Sequence, residues 1–582
     1  MNSAAISPDG KYIAYDDQTG LYLRSVASGE TRAVSLPAGF TNQLSFLKWF
    51  PDGEKLLAAV NNPEPYALWV ITVLGEARPQ LLYKNGVLPA ISPDGQSIAF
   101  MSCCMERPFQ EILVGGLNSE TPRKLVKIGE SPDLEFENRV GATAWSPDGR
   151  WIAYLRTWKA AQGLQKSAIE VRPAEGGPAK TLLTEASLPK ASSLCTALLA
   201  ADPCMAWSPD WRLVFGASQA AEPAPAQPKY SLWQVRVKPS TGEAAARPEQ
   251  LTPWSDFDPV ELTISQDGKR LSFVEMNNWN DVYLAKLGAG GASISSPRRF
   301  TLDNRGILTL DSWTPDSQAI IFSSSRNGRA ELFRKGLKEN IDEVIVHGPE
   351  SYRWARLTPD GSSMLYVGWT PAPLGAPAAL DRLMRRPVAG GPPDRVLEEP
   401  AGASVLSDPG LYVWDYKCPQ NPGAPCVLGE KKGNDLDFYA LDPVQGKGKH
   451  LGKIQVWRWM NWDVSTDGSR LALIGQSGDK HYGKIEVLTF SDGTWQEISP
   501  ERDLGLLMLI AWTAHGKGFF VSSWENNSSD LVHVTLAGKV EPLIRNGYRQ
   551  PVVGNLLPCP DGKYLAYQGK TTDSDVWMLE NF

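Results

Sequence analysis

The sequence contains no apolar run approaching the ~18 residues that mark a membrane-spanning helix, and no charged stretch leading into an apolar one at its start. Read as it stands, it carries neither a span nor an export signal. It also has no basic block: 58 Lys and Arg are interspersed with 65 Asp and Glu for a net charge of −7, which leaves nucleic-acid binding unsupported. Histidine is scarce. His347, His450, His481, His515 and His533 stand singly and no C-x-x-C pair occurs, so no metal site is expected. Helical periodicity is nearly absent, which removes the helical and α/β classes. Gly-rich phosphate loops, kinase catalytic-loop signatures and recognition helices are missing as well.

Catalytic patterns are equally thin. The string nearest to a G-x-S-x-G elbow, Gly475-Gln476-Ser477-Gly478, lacks the final spacing and reads as a hairpin turn. The acidic pairs Asp256/Asp258, Asp435/Asp437 and Asp573/Asp575 could offer oxygens to calcium, but none sits in a D-x-[DN]-x-[DN]-G loop, so they read as solvated turn acids. No catalytic, cofactor-binding or metal residue is assigned, no cofactor is expected, and ligand-contacting residues cannot be named. Cysteines number seven: Cys103, Cys104, Cys195, Cys204, Cys418, Cys426 and Cys559. Cys195/Cys204 and Cys418/Cys426 each close a short loop of the kind bridged in oxidising compartments; buried free thiols are the alternative. The vicinal pair Cys103-Cys104 reads as one buried and one edge-facing thiol, with a redox role as the rival.

What the chain does have is a repeat. The stretch from Ile6 to Tyr15, ISPDGKYIAY, returns as far as CPDGKYLAY at Cys559 to Tyr567. Each copy is an apolar approach, a Pro-Asp-Gly turn and a run alternating with period two, which is a β-hairpin: Pro presets φ, the Asp carboxylate accepts from turn N–H groups, and Gly takes positive φ. The Asp is scaffold on this reading. Its copies are Asp9, Asp52, Asp94, Asp148, Asp210, Asp267, Asp316, Asp360, Asp467 and Asp561, with His515 in the same slot of TAHGKGFFV. The interval from Asp360 to Asp467 is about double the others, and a hidden copy is placed at Leu411 to Asp442, with Cys418 and Cys426 stapling the hairpin end.

Strand-like runs such as LYLRSV from Leu21, DVYLAKL from Asp281 and DVWMLENF from Asp575 fill the intervals, giving four strands per repeat. That is the blade of a β-propeller, an all-β fold. Blades bury their faces only against one another, so the aromatics before the turns, Trp49, Trp145, Trp207, Trp313 and Trp512, are read as inter-blade core rather than a ligand cage. About twelve blades exceed the four to eight of one propeller. Two tandem propellers follow, six plus six, split in the stretch from Gly288 to Ser296 into residues 1–295 and 296–582; seven plus five, or terminal blades sharing a ring, are the alternatives. Ala220 to Lys229 and Pro371 to Ala379 read as surface excursions, and Lys159 to Leu198 as an enlarged blade. The C-terminal DVWMLENF ends on a third strand, so the expectation is either a short last blade or, the favoured reading, missing upstream sequence.

WSPDGRWIAYLR at Trp145 to Arg156 and TPDSQAIIFSSSRNGRAELFR at Thr314 to Arg334 resemble TolB-like repeats. The opening SPDGKYIAY…GLYLRSVASGE, LKWFPDG at Leu47 to Gly53, the Cys418–Cys426 segment running into LDFYALDP, and the closing TTDSDVWMLENF resemble, over essentially the whole chain, the tandem propellers of an acidobacterial group. There such propellers follow the membrane helix of winged-helix transcriptional regulators or serine/threonine kinases. The resemblance implies a non-catalytic periplasmic sensor or protein-interaction module that takes a small ligand or protein partner at a propeller mouth. It would act by a ligand favouring one arrangement of its rings. The regulator and kinase parts are absent, so their activities transfer to no residue here. A TolB-like envelope scaffold and the propeller partner of a serine hydrolase are the rival expectations.

Overall fold

The computed structural model describes residues 3–17, 19–37, 40, 44–60, 67–73, 78–102, 111–119, 121–128, 139–159, 165–189, 191–195, 204–219, 230–252, 259–295, 297–301, 308–370, 380–400, 414–432, 434–456, 460–475, 483–525, 528–546 and 552–582. The Pro/Ala-rich segments, Cys103, Cys104, Asp256, Asp258, His481 and Gln476 to Gly478 lie outside them.

Each Pro-Asp-Gly turn is closed by a short hydrogen-bond circuit. In the first, Ser7 Oγ donates to Asp9 Oδ1 at 2.7 Å and accepts from Tyr12 N at 2.9 Å, while Asp9 Oδ1 also accepts from Lys11 N at 3.0 Å. The hydroxyl–carboxylate bond recurs at Ser92–Asp94, Ser146–Asp148, Ser265–Asp267, Thr314–Asp316, Thr358–Asp360 and Ser465–Asp467, always between 2.5 and 2.7 Å. Glycine is required twice over at Gly95: its φ is +70°, and a Cβ there would approach Pro51 of the preceding turn to 3.3 Å. The Asp residues are scaffold, as expected. The Ser or Thr partner that seven of them have two residues earlier is the part the motif reading omitted; Phe50 and Cys559 hold that position before Asp52 and Asp561.

The turns connect strands into antiparallel sheets, ten of which contain strands from a single stretch of chain, nine of them in simple up-and-down order. The first runs Ser3–Ile6, Tyr12–Asp16, Leu21–Ser25, Thr31–Val34. The hidden copy forms the sheet Trp414–Lys417, Cys426–Lys432, Asp435–Asp442, Gly446–Gln455. Both short cysteine loops are bridged, Cys195 to Cys204 and Cys418 to Cys426. The first bridge rejoins an interrupted strand: Ala191–Leu194 and Met205–Trp207 both pair with Arg212–Gln219. For that reason the stretch from Lys159 to Leu198 is not one enlarged blade. Gln165–Pro173 and Lys180–Thr184 finish one sheet, and Ala191–Leu194 opens the next.

The eleventh sheet is composite. It orders Pro259–Ile264, the long strand Arg270–Lys286, the long strand Tyr564–Glu580 and Val552–Pro558. The chain divides into two compact units, one of Met1–Ala224, Pro228–Asn277 and Thr572–Phe582, the other of Asn278–Thr571 with Pro225–Gln227. Both long strands are therefore cut by the division, and each gives its two ends to different units. Divided there, the composite sheet counts as two, and the blades number twelve. The stretch from Gly288 to Ser296 falls inside the second unit, after the chain has entered it at Asn278.

In the first unit, apolar clusters lie between successive sheets. Ala5, Leu23, Leu47 and Leu56 join the first two, and Ala4, Val260 and Val274 join the last back to the first with Val576 packed on them. Residues Leu579 and Phe582 cover Leu262, Leu271 and Phe273, so DVWMLENF is the third strand of this unit's last sheet. The first strands stand side by side around an axis, and Ile6 N donates to Thr263 Oγ1 at 3.0 Å where the ring closes.

The second unit repeats the scheme. Val282 and Leu284, from the end of the strand Arg270–Lys286, pack with Leu308, Phe322 and Ala566, so DVYLAKL completes this unit's last sheet. Each fully buried Leu or Phe in such clusters contributes about 1.5–3 kcal/mol relative to exposure. The rows of clusters, not any one sheet, hold the rings together.

Candidate functional site

The first strand of every blade faces the axis of its unit, and each unit has a cavity there. The one in the first unit is about 330 Å³ and bordered by Trp49, Trp145 and Trp207 and by turn prolines such as Pro8 and Pro93. Its one lining cation, Lys48, donates to Leu262 O at 3.3 Å; burial pushes its pKa down and nearby Glu261 opposes that shift.

The tryptophans predicted as inter-blade core are that and more. Trp49 Nε1 donates to Ala5 O at 3.0 Å, Trp145 to Ala90 O at 3.1 Å, Trp313 to Leu557 O at 2.9 Å and Trp512 to Asp463 O at 3.2 Å. Each indole N–H thus clips its blade to the previous one, while the ring borders the axial cavity. Trp207 differs: its N–H has no partner, and the ring meets Trp211 edge-on at 5.7 Å.

In the second unit the cavity is about 180 Å³ and charged. Six first strands supply its wall, among them Leu308–Trp313, Ser351–Leu357, Trp414–Lys417 and Met460–Val464. The side chains that matter are Asp311, Arg356, Lys417, Asn461, Asp463 and Asn555. Asn461 Oδ1 accepts from Ile510 N at 2.9 Å, Asp463 Oδ2 from Trp512 N at 2.9 Å, and Asn555 Nδ2 donates to Leu310 O at 2.6 Å. These bonds fix the side chains by tying one blade to the next. Lys417 is paired with Asp415 at 3.2 Å and lies 5.8 Å from the centre of the Trp462 ring. Burial raises Asp311 to about 7, against the pull of Arg356. Asp463 is raised to about 6 by the same cause, the Trp512 N–H opposing.

The acids singled out in the sequence do other things. Asp435 pairs with Lys453 at 2.8 Å and Asp437 meets His450 at 2.9 Å, both outside the cavity; Asp575 lies exposed on the strand Tyr564–Glu580. Among the described residues no group of three His, Cys, Asp or Glu gathers as a metal site would. Cys559 takes the Ser slot of its turn, its thiol donating to Asp561 at 2.9 Å, and burial foremost pushes it up to about 11. The cavity residues were invisible in the sequence because each copy contributes one or two of them, a full repeat apart.

No protein-family model matches the chain, and no curated protein matches it. Solved structures that it is similar to include a protein of Agrobacterium tumefaciens assigned as TolB, 16% identical, covering 55% of this chain and 84% of that one with a TM-score of 0.20. A nidogen/laminin complex is 11% identical over 50% of this chain and 98% of that one, TM-score 0.33. Dipeptidyl peptidase 4 of Porphyromonas gingivalis is 13% identical over 74% of this chain, which spans 64% of that one, TM-score 0.29.

Proposed function

We propose that the chain is a non-catalytic binding module of a bacterial signalling protein, two propellers of six blades each, that takes a small ligand or a protein partner at an axial mouth. The observation that carries this reading is the second unit's cavity, where six strands held rigidly by inter-blade bonds converge polar side chains on one concavity. Three of the groups there that could act as nucleophiles are committed elsewhere, while the Ser312 hydroxyl, which also lines the cavity, has no hydrogen-bond partner. Cys418 is in its disulfide, Thr466 Oγ1 donates to Ala514 O at 3.0 Å, and Thr358 Oγ1 is held in its turn by Asp360 at 2.6 Å. Two local disulfides favour an oxidising, periplasmic setting, as does the resemblance to acidobacterial sensor regions. Among the described residues no helix is long and apolar enough to cross a membrane.

The test is recovery of bound material. Wild-type chain and a Lys417→Met variant are incubated with envelope extract and analysed by native mass spectrometry. A mass adduct or stoichiometric partner held by the wild type and lost from the variant supports the reading. Equal retention by both, or chemical conversion of extract components by the purified chain alone, contradicts it.

A further inference from the structure

The second unit's cavity presents both signs of charge without letting them close on each other. Asp311 is 0% exposed, and neither carboxylate oxygen has a hydrogen-bond partner of adequate geometry, although the N–H groups of Ala355 and Trp354 and the Ser323 hydroxyl lie near it. Arg356 is 7% exposed; it donates to Ala355 O at 3.3 Å and acts on Asp311 as a nearby charge without forming a bond to it. Asp463 accepts a main-chain N–H from Trp512, and Lys417 is partnered by Asp415. A buried charge without a directly bonded counterpart costs several kcal/mol. Here two such groups of opposite sign, Asp311 and Arg356, line one cavity.

The occupant that satisfies them follows by charge. A simple cation gains Asp311 and Asp463 but meets Arg356 and Lys417. A simple anion meets the reverse, and an apolar molecule leaves all four as they are. A molecule carrying both signs satisfies both without changing the net charge of the cavity. Size sharpens this: about 180 Å³ is below the roughly 300 Å³ at which pockets for drug-sized ligands begin. The indoles of Trp313, Trp462 and Trp512 in the wall add apolar surface for a side chain.

We propose that the axial cavity of the second unit binds a small zwitterion of the amino-acid type, its ammonium toward Asp311 and Asp463 and its carboxylate toward Arg356 and Lys417. This rests on the reading of that cavity as the binding site.

The probes are the free L-amino acids, each alongside its N-acetyl and amide derivatives, titrated calorimetrically into the full chain. At least one free amino acid should bind, and blocking either end should weaken it by about tenfold or more, the loss of a charge-assisted hydrogen bond. In Asp311→Asn, N-acetylation should cost less than in the wild type; the derivative series on wild-type protein stands even if that variant fails to fold. Derivatives that bind as well as the free amino acid overturn the proposal. So does a lack of heat from every free amino acid at about 10 mM. If an extract component is nonetheless retained through Lys417, the module reading stands and the zwitterion class alone falls.

Discussion

At the scale of single residues, the chain is held by one small device used repeatedly, a Ser or Thr hydroxyl joined to the turn Asp. Ser265 is 1% exposed and bridges Asp267 and the N–H of Arg270. Ser265→Ala should therefore cost about 1 kcal/mol, the net value of a buried hydrogen bond, read as a lower midpoint in urea at unchanged slope. The same hydroxyls are the main cause that holds Asp94, Asp267, Asp316 and Asp360 below the ordinary carboxylate value. Asp561 is lowered to about 2, chiefly by the Cys559 thiol and then by Lys563. Because these pKa values are depressed on folding, their stabilisation is present above the unfolded value of 3.8 and is lost as pH falls through the folded values.

Asp311 works in the opposite sense. Its folded pKa of about 7 lies above the ordinary carboxyl value of 3.8, so the folded chain binds more protons between the two and its stability falls as pH rises across that window. The charged group acting on Asp311 is Arg356. Asp311→Asn should gain stability relative to the wild type as pH goes from about 5 to about 8, measured by denaturant titration at each pH. A constant difference across that range would show that the carboxyl is not buried as described.

At the scale of elements, the turns and strands were legible in the sequence because Pro-Asp-Gly and period-two alternation are local signals. So were the cysteine staples, as candidates, since Cys418 and Cys426 flank a hairpin end. What could not be read was partnership. DVYLAKL and DVWMLENF have nearly the same pattern, an Asp-Val followed by an aromatic and alternating apolar residues. Nothing local says that the first packs with Leu308 and the second with Leu262. The interruption between Cys195 and Cys204 likewise hid a strand by separating its halves. Deleting residues 574–582 should expose the first unit's last sheet, since Val576, Leu579 and Phe582 leave two clusters at once. Hydrogen exchange should speed up in Pro259–Ile264 and leave Leu506–Trp512 as it was. The bridges Cys195–Cys204 and Cys418–Cys426 close short loops, for which the chain-entropy estimate is about 2–3 kcal/mol each. Reductant should lower the thermal midpoint accordingly, and mass spectrometry without reduction should show Cys195, Cys204, Cys418 and Cys426 blocked to alkylation.

At the scale of the whole molecule, each unit is a ring in which no blade is stable alone, and the useful surface is the one that all the blades share. That surface escapes a sequence reading for a physical reason: the residues that meet at an axis are separated by the full length of a blade, so Asp311, Arg356, Lys417 and Asp463 look like isolated charges on unrelated strands. The two units have different axial cavities, one of about 330 Å³ with Lys48 as its lining cation, the other of about 180 Å³ with charges of both signs. Binding is assigned to the second. Its most direct test is hydrogen exchange of the full chain with and without the component recovered from envelope extract. Added protection is expected in the second unit's first strands, including Leu308–Trp313, Ser351–Leu357, Trp414–Lys417 and Met460–Val464. Protection confined to the outermost strands, such as Glu343–Val346 and Trp495–Ile498, with the axial strands unchanged, would contradict it.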